Sequence, residues 1–532
     1  MNIPNLNIKL FLLFCVSILY FVGCSISKGN VDTMFAVYLS KIKDSVNTSS
    51  TAATNTQPNV LSVTPANNTV GFIIGTPITI SFDKAIDTST LTMISTDGLC
   101  TGNIQLSTNN FTSCLGGILN ISTDQMIASI SLQTSFCVES SYMLQIKVLS
   151  GVKDTLGNAL ASSYSGSTSF QTQQAVLKVG ALGGTTVKAM AVSCNILFIG
   201  GDFTSVGSSA RNRIAAIDLV NGFEIPTWNP NADNTVNTIA LNGNTVYVGG
   251  TFLNIGGQAR SRIAALDIVT GQATSWNPNA NNTVNTIAIS NNLAYVGGSF
   301  NGGGSIGGQP RSRIAAIDLN TGIGTAWDPN CNNGVINIIA VSGNVAYVGG
   351  TFAAANIGGQ TNRNYLVAVD LSTGLTLPGW CATGAVSPVN TIVATSTDVL
   401  IAGSFVGGLC GTTFNNFGSI QISTGNATPG FASGVNTGTN NITNAIAISG
   451  SNIYVGGAFT GAASFVSLVR NYIGATDLTG NATAWNPNAN NVVNTIITLG
   501  TAVLIGGNFT SVNGGTVANR IAIIDINTGV KR

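Results

Sequence analysis

The sequence predicts an all-β protein in which a β-sandwich precedes a seven-bladed β-propeller, and three observations support this. Only 7% of the 532 residues are charged while 63 are glycine, so the chain lacks the residues that exposed helices normally carry. Short apolar runs alternate with turn residues from residue 59 onwards. From residue 175 a unit of about 50 residues recurs seven times, and this period is typical of propellers.

The composition excludes several classes of function. The net charge of +1 argues against nucleic-acid binding, which normally requires a basic excess. Histidine is absent, so a Ser-His-Asp triad, a His-ligated zinc and a His-ligated haem are excluded. Glu139 and Glu224 are the only glutamates and stand beside seventeen aspartates, which leaves few partners for paired-carboxylate hydrolysis. We therefore expect no catalytic residues, no metal and no cofactor.

Residues 1–23 predict a bacterial export signal with a lipid anchor. The apolar run 10–22 has 13 residues, which suits a signal peptide and is too short to span a bilayer. It ends before Cys24 in a pattern that resembles a lipobox, although Phe21 and Val22 depart from its usual residues. The resemblance implies that Cys24 is acylated and that two or three chains hold the protein on a membrane. The alternative is an ordinary secretory signal followed by a chance cysteine.

The segment 24–58 is rich in Ser, Thr and Asn, which predicts a flexible tether. No later apolar run reaches membrane-spanning length. We expect an extracytoplasmic, membrane-anchored protein, at the outer membrane or the cell surface.

Residues 59–174 predict the sandwich. Its strand-like runs are 60–65, 77–83, 126–132, 142–149 and 165–172. The motifs SVTP (62–65), ITISFD (78–83), DTLGN (154–158) and SFQT (169–172) occur in the order that the bacterial Ig-like domain of surface-layer proteins has, and the segment resembles that family. The resemblance implies a spacer or adhesive module without catalytic residues.

Cysteines in this segment suggest a disulfide, because an exported chain meets an oxidising environment. Cys100 and Cys114 flank a strand-like stretch and are the expected pair, which leaves Cys137 over. The connectivity itself does not follow from sequence.

The repeat region, residues 175–532, carries a motif of an apolar residue, Gly or Ala, Gly, any residue and Phe. The second glycines of the motif are Gly201, Gly250, Gly298, Gly350, Gly403, Gly457 and Gly507. The second repeat shows four expected strands, a to d, at 235–241, 245–252, 262–268 and 273–278. We expect the glycines inside strand b to allow a bulge or close packing, because no helix follows to form a phosphate loop.

The two ends of the repeat region predict how the ring closes. The last unit lacks a tryptophan strand after residue 529, and the region begins with an additional strand-like run, 175–182. We expect this run to serve as strand d of the last blade, which would remove open sheet edges.

The repeats resemble bacterial propeller repeats of the delta-60 type, which are related to kelch and WD-like repeats. The GGxF runs and the R-x-R-I-A-A-I/L-D segments at 211–218, 260–267 and 311–318 carry the resemblance. It implies an architecture and no particular function, because propellers host many. Aspartates that end strand c are expected to cap the following turn: Asp218, Asp267, Asp318, Asp370, Asp477 and Asp525.

One face of the propeller is a candidate ligand face, because the b–c and d–a loops emerge on the same side. Its candidate residues are Arg211, Arg213, Arg260, Arg262, Arg311, Arg313, Arg363, Asn231, Asn279, Asn330 and Asn488. Arginines two apart on a strand share a side and could lie on the repeat tryptophans. Either the arginines clamp neighbouring blades and the asparagines cap turns, or the face binds a glycan, an acidic ligand or a protein. Calcium is a weaker alternative, because most of the oxygens are neutral amides.

The fifth unit departs from the pattern, since Gln421 replaces the turn aspartate and Phe431 the tryptophan. An asymmetric ligand could bind there. Cys381 and Cys410 map near this unit and are a second expected disulfide, whereas Cys194 is expected to be unpaired.

These observations predict a binding module for adhesion, matrix contact or envelope scaffolding rather than an enzyme. The expected partners are a membrane, through the lipid anchor, and a glycan or protein ligand, and no nucleic acid. The alternatives are a carbohydrate-active or quinone-dependent propeller enzyme and a purely structural envelope protein.

Overall fold

A computed structural model describes most of the chain after the tether. The described residues are 56–64, 70–72, 77–95, 98–107, 111–132, 143–172, 175–381, 385, 387–431, 439–461 and 464–532. The predicted signal segment, Cys24, the tether to residue 55 and Cys137 lie outside them. The part of the chain that is described holds no helix with the length and apolar character needed to cross a bilayer.

The first folded part consists of eight strands in two four-stranded sheets. These strands are β1 (Val60–Thr64), β2 (Val70–Phe72), β3 (Ile78–Phe82), β4 (Ile104–Ser107), β5 (Gly117–Ile121), β6 (Ile127–Leu132), β7 (Met143–Val148) and β8 (Tyr164–Thr172). One sheet has the order β1-β3-β6-β5, and the other has the order β2-β8-β7-β4. The predicted strands are present, and β2 and β5 are strands that the sequence analysis did not identify.

Side-chain alternation builds the core between these sheets. Ile78, Ile80 and Phe82 on β3 are buried, and the residues between them are partly exposed. Leu144 and Ile146 on β7 join them in one apolar cluster, which confirms the predicted sandwich.

Local polar contacts secure the sandwich at its edges. Cys100 and Cys114 form a disulfide with their Cα atoms 4.8 Å apart, the pair that the sequence suggested. Asp87 caps a 3₁₀ turn (Thr88–Thr90) by accepting a hydrogen bond from the Ser89 amide. Asp87 therefore has a structural role at this corner of the sandwich.

In the part of the repeat region that the structure describes, strands a, b and c of each of the seven repeats form a three-stranded antiparallel sheet. Strand a is Val187–Ser193, Val236–Asn242, Val284–Ser290, Ile336–Ser342, Val389–Ala394, Thr443–Ser449 and Val493–Leu499. Strand b, which pairs with both others, is Ile196–Gly201, Thr245–Gly250, Leu293–Gly298, Val345–Gly350, Asp398–Leu409, Asn452–Gly457 and Ala502–Gly507. Strand c is Ile214–Asp218, Ile263–Asp267, Ile314–Asp318, Leu366–Asp370, Thr412–Gln421, Ile473–Asp477 and Ile521–Asp525. The arrangement is propeller-like.

Short additional strands lie in the connections between strands b and c and pair with one another in small separate sheets, and Leu182–Gly183 joins the first of these sheets. They are Leu182–Gly183, Ser205–Val206, Ser209–Ala210, Asn254–Ile255, Gln258–Ala259, Ala355–Ile357, Gln360–Arg363, Ser511–Val512 and Thr516–Val517. The predicted strand d is shorter than expected. In the second sheet it makes a single bridge, Leu266 to Ala273, because the Thr274 carbonyl accepts from Arg260 and the Trp276 amide donates to the Thr274 hydroxyl instead of continuing the ladder.

Neighbouring sheets meet along their strands a. Each strand a contacts the strand a of the next sheet, and that of the seventh sheet contacts that of the first. At this last junction the Asn494 amide donates to the Thr186 hydroxyl at 2.7 Å. Gly506 faces Val187 there just as Gly249 faces Val284 between the second and third sheets. The seventh and first sheets thus pack in the same way as the others.

The segment 175–182 does not make the expected strand pairing in the contacts that the structure describes. The edge of the seventh sheet pairs with its own C-terminus, through a bridge from Ile524 to Lys531. The Val176 amide instead donates to Leu219 in the first sheet. The reason is that the chain runs far enough beyond residue 529 to reach its own strand c.

Candidate functional site

Each strand a has a β-bulge at its second residue. In the second sheet Val236 pairs with Gly250 and Thr238 with Gly249, so that Asn237 has no opposite partner. The same register shift occurs in all seven sheets. A bulge turns a side chain away from the regular alternation of a strand, and here it presents one residue per sheet to the space between the strands.

The glycine pair of strand b makes this bulge possible. A Cβ on Gly250 would lie 2.1 Å from the Thr235 carbonyl oxygen, whose position the bulge determines. A Cβ on Gly249 would lie 2.4 Å from Cγ1 of Val284 in the next sheet. The motif therefore provides close packing and a bulge, as the sequence analysis expected. A larger residue would collide at either position of the second sheet, whereas the fifth sheet has Ala402 at the first of them.

The bulged residues line a central cavity of about 550 Å³. They are Lys188, Asn237, Asn285, Asn337, Asn390, Asn444 and Asn494, and we call them the polar ring. Each follows a d–a loop by two or three residues, so the ring lies at the end of the cavity nearest those loops. The seven strands a thus bring six side-chain amides and one ammonium group together at one cavity.

Amide contacts link the polar ring from sheet to sheet. The amide nitrogen of Asn285 donates to the Ile336 carbonyl at 3.1 Å. That of Asn337 donates to the Val389 carbonyl at 3.1 Å and to the Asn390 oxygen at 3.4 Å. A side-chain amide has two N–H donors and one oxygen with two lone pairs. These contacts hold the side chains in place and use only some of the hydrogen-bond donors and acceptors of each amide.

Lys188 replaces asparagine in the first sheet and changes the charge of the ring. Its side chain is exposed, and the cavity lining within the described residues includes no carboxylate. The three salt bridges of that part of the chain are Arg211–Glu224, Arg311–Asp328 and Arg532–Asp525. The cavity consequently carries one positive charge without a counter-charge in its lining.

The predicted arginines have partners within the loops. The guanidinium of Arg260 donates to the Ala259 carbonyl at 2.8 Å and to the Thr274 carbonyl at 2.6 Å, which joins the b–c loop to strand d of the same sheet. Arg211, Arg311 and Arg470 make equivalent pairs of bonds. Arg363 is buried and donates to the Trp380 and Cys381 carbonyls.

The second arginine of each pair points elsewhere, contrary to the expected shared side. Arg213, Arg262 and Arg313 have φ near 65°, and strand c begins only after them, so strand alternation does not apply. Arg313 donates to the Cys331 carbonyl at 2.9 Å in the following d–a loop. Arg520 makes the equivalent bond to the Leu182 carbonyl at 3.0 Å, from the seventh sheet to the first. The arginines therefore support the loops of this face.

The repeat tryptophans join neighbouring sheets. Trp276 packs edge-to-face on Tyr247 of its own sheet with ring centroids 5.1 Å apart. Its indole N–H donates to the Asp318 carbonyl of the next sheet at 2.9 Å. Trp228, Trp327, Trp380 and Trp485 repeat this contact. The cation–π contacts of the described residues are Lys147–Phe111 and Lys178–Phe223, so the expected stacking of arginine on tryptophan is replaced by this clamp.

The candidate asparagines shape the d–a loops. Asn231, Asn279, Asn330 and Asn488 all have φ near 50°, the left-handed conformation that asparagine tolerates best after glycine. The Asn488 oxygen accepts a hydrogen bond from the Asn471 amide at 2.8 Å. These residues set the conformation of the d–a loops, and none of the four lies in the lining of the central cavity.

The aspartates that end strand c cap turns, as expected. The Asp267 carboxylate accepts from the Thr270 amide at 2.7 Å, and Asp318 does the same with Thr321 at 2.8 Å. These hydrogen bonds hold the pKa of both carboxyl groups below the usual range. Burial would raise the pKa of Asp525, but hydrogen bonds from Arg532 and from the following turn outweigh it and lower the pKa to about 2.

Cysteine pairing agrees with the sequence analysis at one position and differs at another. Cys381 and Cys410 form a disulfide with Cα atoms 4.5 Å apart, as suggested, and it holds the long hairpin of the irregular fifth sheet. Cys194 is disulfide-bonded, contrary to the expectation, with a partner outside the described residues. Cys331 is a buried free thiol.

Sequence reasoning missed the polar ring, although the signal was present. An asparagine follows the first residue of strand a in six of the seven repeats, for example in the V-N-T-I segments at 236–239 and 284–287. Asparagine is disfavoured inside strands. Its recurrence at one register position, with Lys188 in the seventh place, marks a set of side chains that meet at the axis.

Comparisons with known proteins complete the description. Residues 54–172 match the family model of the bacterial Ig-like domain. No curated protein matches the chain in sequence. The chain is similar to the solved structure of the WD40 β-propeller domain of Doa1, with 9% identity over 62% of this chain and 92% of that one and a TM-score of 0.39. BamB from Moraxella catarrhalis shares 15% identity over 63% and 92%, with a TM-score of 0.34. The computationally designed Ika8 protein shares 15% over 67% and 87%, with a TM-score of 0.41.

Proposed function

We propose that this chain is a bacterial lipoprotein that presents a binding module outside the cytoplasm. Acylation of Cys24 anchors it, the segment to residue 58 acts as a tether, and the Ig-like domain is a spacer. The repeats are of the delta-60 type and form a closed seven-bladed propeller whose face with the d–a loops binds ligand. The lipobox-like pattern and the match to the bacterial Ig-like domain support this placement.

The polar ring is the observation that carries the binding role. Seven sheets each contribute one polar side chain to a single cavity that lies at the candidate ligand face. Cavities of several hundred Å³ with convergent polar groups are typical of small-molecule and glycan sites. The asparagine-rich d–a loops lead into the strands that carry the ring, and the arginines of the same face hold those loops in position.

The structural use of the charged groups favours a binding role over an enzyme. Recurrent aspartates cap turns, and recurrent arginines bind carbonyl groups, so these side chains have partners that catalysis would require them to leave. A purely structural envelope protein remains the competing role, and ligand binding distinguishes the two.

A glycan and matrix-protein array tests this proposal. The ectodomain, residues 25–532, is expected to bind a subset of ligands, and binding is expected to fall when Asn390 in the ring becomes alanine. Asn301 to alanine is the control, because that residue lies in a loop outside the cavity lining. A wild-type protein that binds nothing on the array would refute the binding role and favour the structural one.

The anchor has its own test. Palmitate labelling of the full chain is expected to disappear in Cys24→Ser and to persist in Cys15→Ser, since only Cys24 follows the lipobox-like pattern. Equal labelling of both variants would refute the assignment. Protease treatment of intact cells would then show whether the propeller faces the medium.

A further inference from the structure

We propose that the central cavity binds a sugar acid, a monosaccharide-sized polyol with one carboxylate, with Lys188 pairing with the carboxylate. This inference rests on the proposed binding function and names its ligand class. It is argued from the charge of the cavity, from its amides and from its size.

The charge of the cavity selects an anion. Lys188 is its charged lining residue, and the lining within the described residues offers no carboxylate to neutralise it. Lys178, by contrast, lies over the Phe223 ring outside the cavity. The Lys188 side chain is exposed, so its ammonium group is free to meet an anion that enters the cavity, and salt screens this attraction. One charge matches a ligand with a single carboxylate.

The amides of the ring select hydroxyl groups. The side-chain amides of Asn494 and Asn285 each donate a hydrogen bond to a backbone carbonyl of the next sheet, and these bonds hold both amides at fixed positions. An amide can donate to one hydroxyl and accept from another. Six amides at similar heights around an axis can therefore satisfy several hydroxyl groups of one ring-shaped molecule. An apolar ligand would leave these groups without partners, which is costly.

The size and the lower wall of the cavity are consistent with this class. The volume of about 550 Å³ accommodates a hexose ring with bound water. Below the ring the lining includes Thr286, Thr391 and Thr495 together with Met190 and Ile239. Hydroxyls and apolar groups together suit the two faces of a sugar, one polar and one formed by C–H groups.

Isothermal titration of the ectodomain with D-galacturonate and D-galactose tests the inference, because these sugars differ in one carboxylate. The wild type is expected to bind galacturonate at least tenfold more tightly than galactose, and the difference should shrink as salt rises. Lys188→Gln should weaken galacturonate binding about tenfold and leave galactose binding unchanged. Lys178→Gln, with the same change in net charge, should behave as wild type.

A second variant separates charge from hydroxyl recognition. Asn390→Ala should weaken both sugars by a similar factor, since an amide contacts hydroxyl groups that they share. Unchanged unfolding midpoints, measured by tryptophan fluorescence, verify that each variant is folded. If a galacturonate trisaccharide competes with galacturonate for the protein, the ligand is the end of a sugar chain. If it does not compete, the ligand is the free sugar. Both ligands present the proposed carboxylate and hydroxyl groups.

Several results would overturn the inference. They are equal affinity for the two sugars, no effect of Lys188→Gln, no binding of either sugar, and inorganic phosphate binding as tightly as galacturonate. If array ligands still bind while galacturonate does not, the sugar-acid assignment fails and the proposed binding function stands. If neither binds, both fail.

Discussion

Replacing Gly249 by alanine tests whether the glycine motif sets the distance between sheets. The added Cβ would lie 2.4 Å from Cγ1 of Val284 and 2.8 Å from Cγ2 of Thr238, both on short branched side chains in packed strands. Carbon atoms in contact are normally about 3.5–4.0 Å apart. The two sheets must therefore separate by roughly 1 Å locally, or Val284 must leave its rotamer.

The expected cost follows from these distances. Overpacking of this kind costs about 1–3 kcal/mol, and alanine recovers about 0.4–1 kcal/mol by restricting the unfolded chain. We expect Gly249→Ala to destabilise the repeat region by about 1–2 kcal/mol. Gly303→Ala is the control, because a Cβ there meets no atom within 4 Å, and it should be neutral or slightly stabilising.

Equilibrium urea unfolding measured by tryptophan fluorescence is the assay. All five tryptophans lie in the repeat region, so the signal reports on that region alone. Val284→Ala should relieve the clash, and the double variant should be about 1–2 kcal/mol more stable than the sum of the single changes predicts. A cost for Gly249→Ala no larger than for Gly303→Ala, or additive changes in the double variant, would refute the packing argument.

Three further predictions follow from single contacts. Trp276→Phe keeps an aromatic ring but loses the hydrogen bond from the indole N–H to the next sheet. The free energy of unfolding should therefore fall by about 1 kcal/mol, and by somewhat more because the smaller ring also packs less well. Removing the disulfide by the double change Cys381→Ala and Cys410→Ala should lower the free energy of unfolding, measured by urea denaturation, by about 2–4 kcal/mol. Asp525 has its pKa lowered from 3.8 to about 2, so its stabilising effect is complete above about pH 4 and is lost as the pH falls towards 2.

The controls for these predictions use the same chain. The disulfide variant is compared with Cys331→Ala, since Cys331 is a free thiol. Arg532→Gln should reduce the acid sensitivity between pH 4 and 2, and an unchanged acid transition would contradict the role of this ion pair.

The repeat period, the strand order and the turn chemistry could be predicted from the sequence because they depend on neighbours in the chain. Alternation of apolar residues defines strands, and Asp267 caps a turn only three residues away. Glycine pairs such as Gly249 and Gly250 could also be predicted to pack closely, since a missing Cβ is a local property. The length of strand d could not, because its pairing ends where Arg260, 14 residues away, binds the Thr274 carbonyl.

The candidate site depended on longer distances. The arginines suggested exposed donors from their sequence, yet Arg260 and Arg313 lie next to carbonyl groups 14 to 21 residues away and bind them. Asn237 is one polar residue in a strand, and only the bulge opposite Gly249 and Gly250 turns it into the cavity. Neither fact follows from a single repeat.

The sequence alone thus determined the units of this protein: an all-β chain, a sandwich segment, seven repeats and the residues that cap and close each of them. Tertiary structure decided which side chains meet. Seven bulges converge on one axis, and that convergence makes a polar ring of six asparagines and Lys188 around a single cavity. The physical reason is that strand propensity and turn chemistry act over a few residues, whereas a cavity exists only once sheets 50 residues apart have packed against each other.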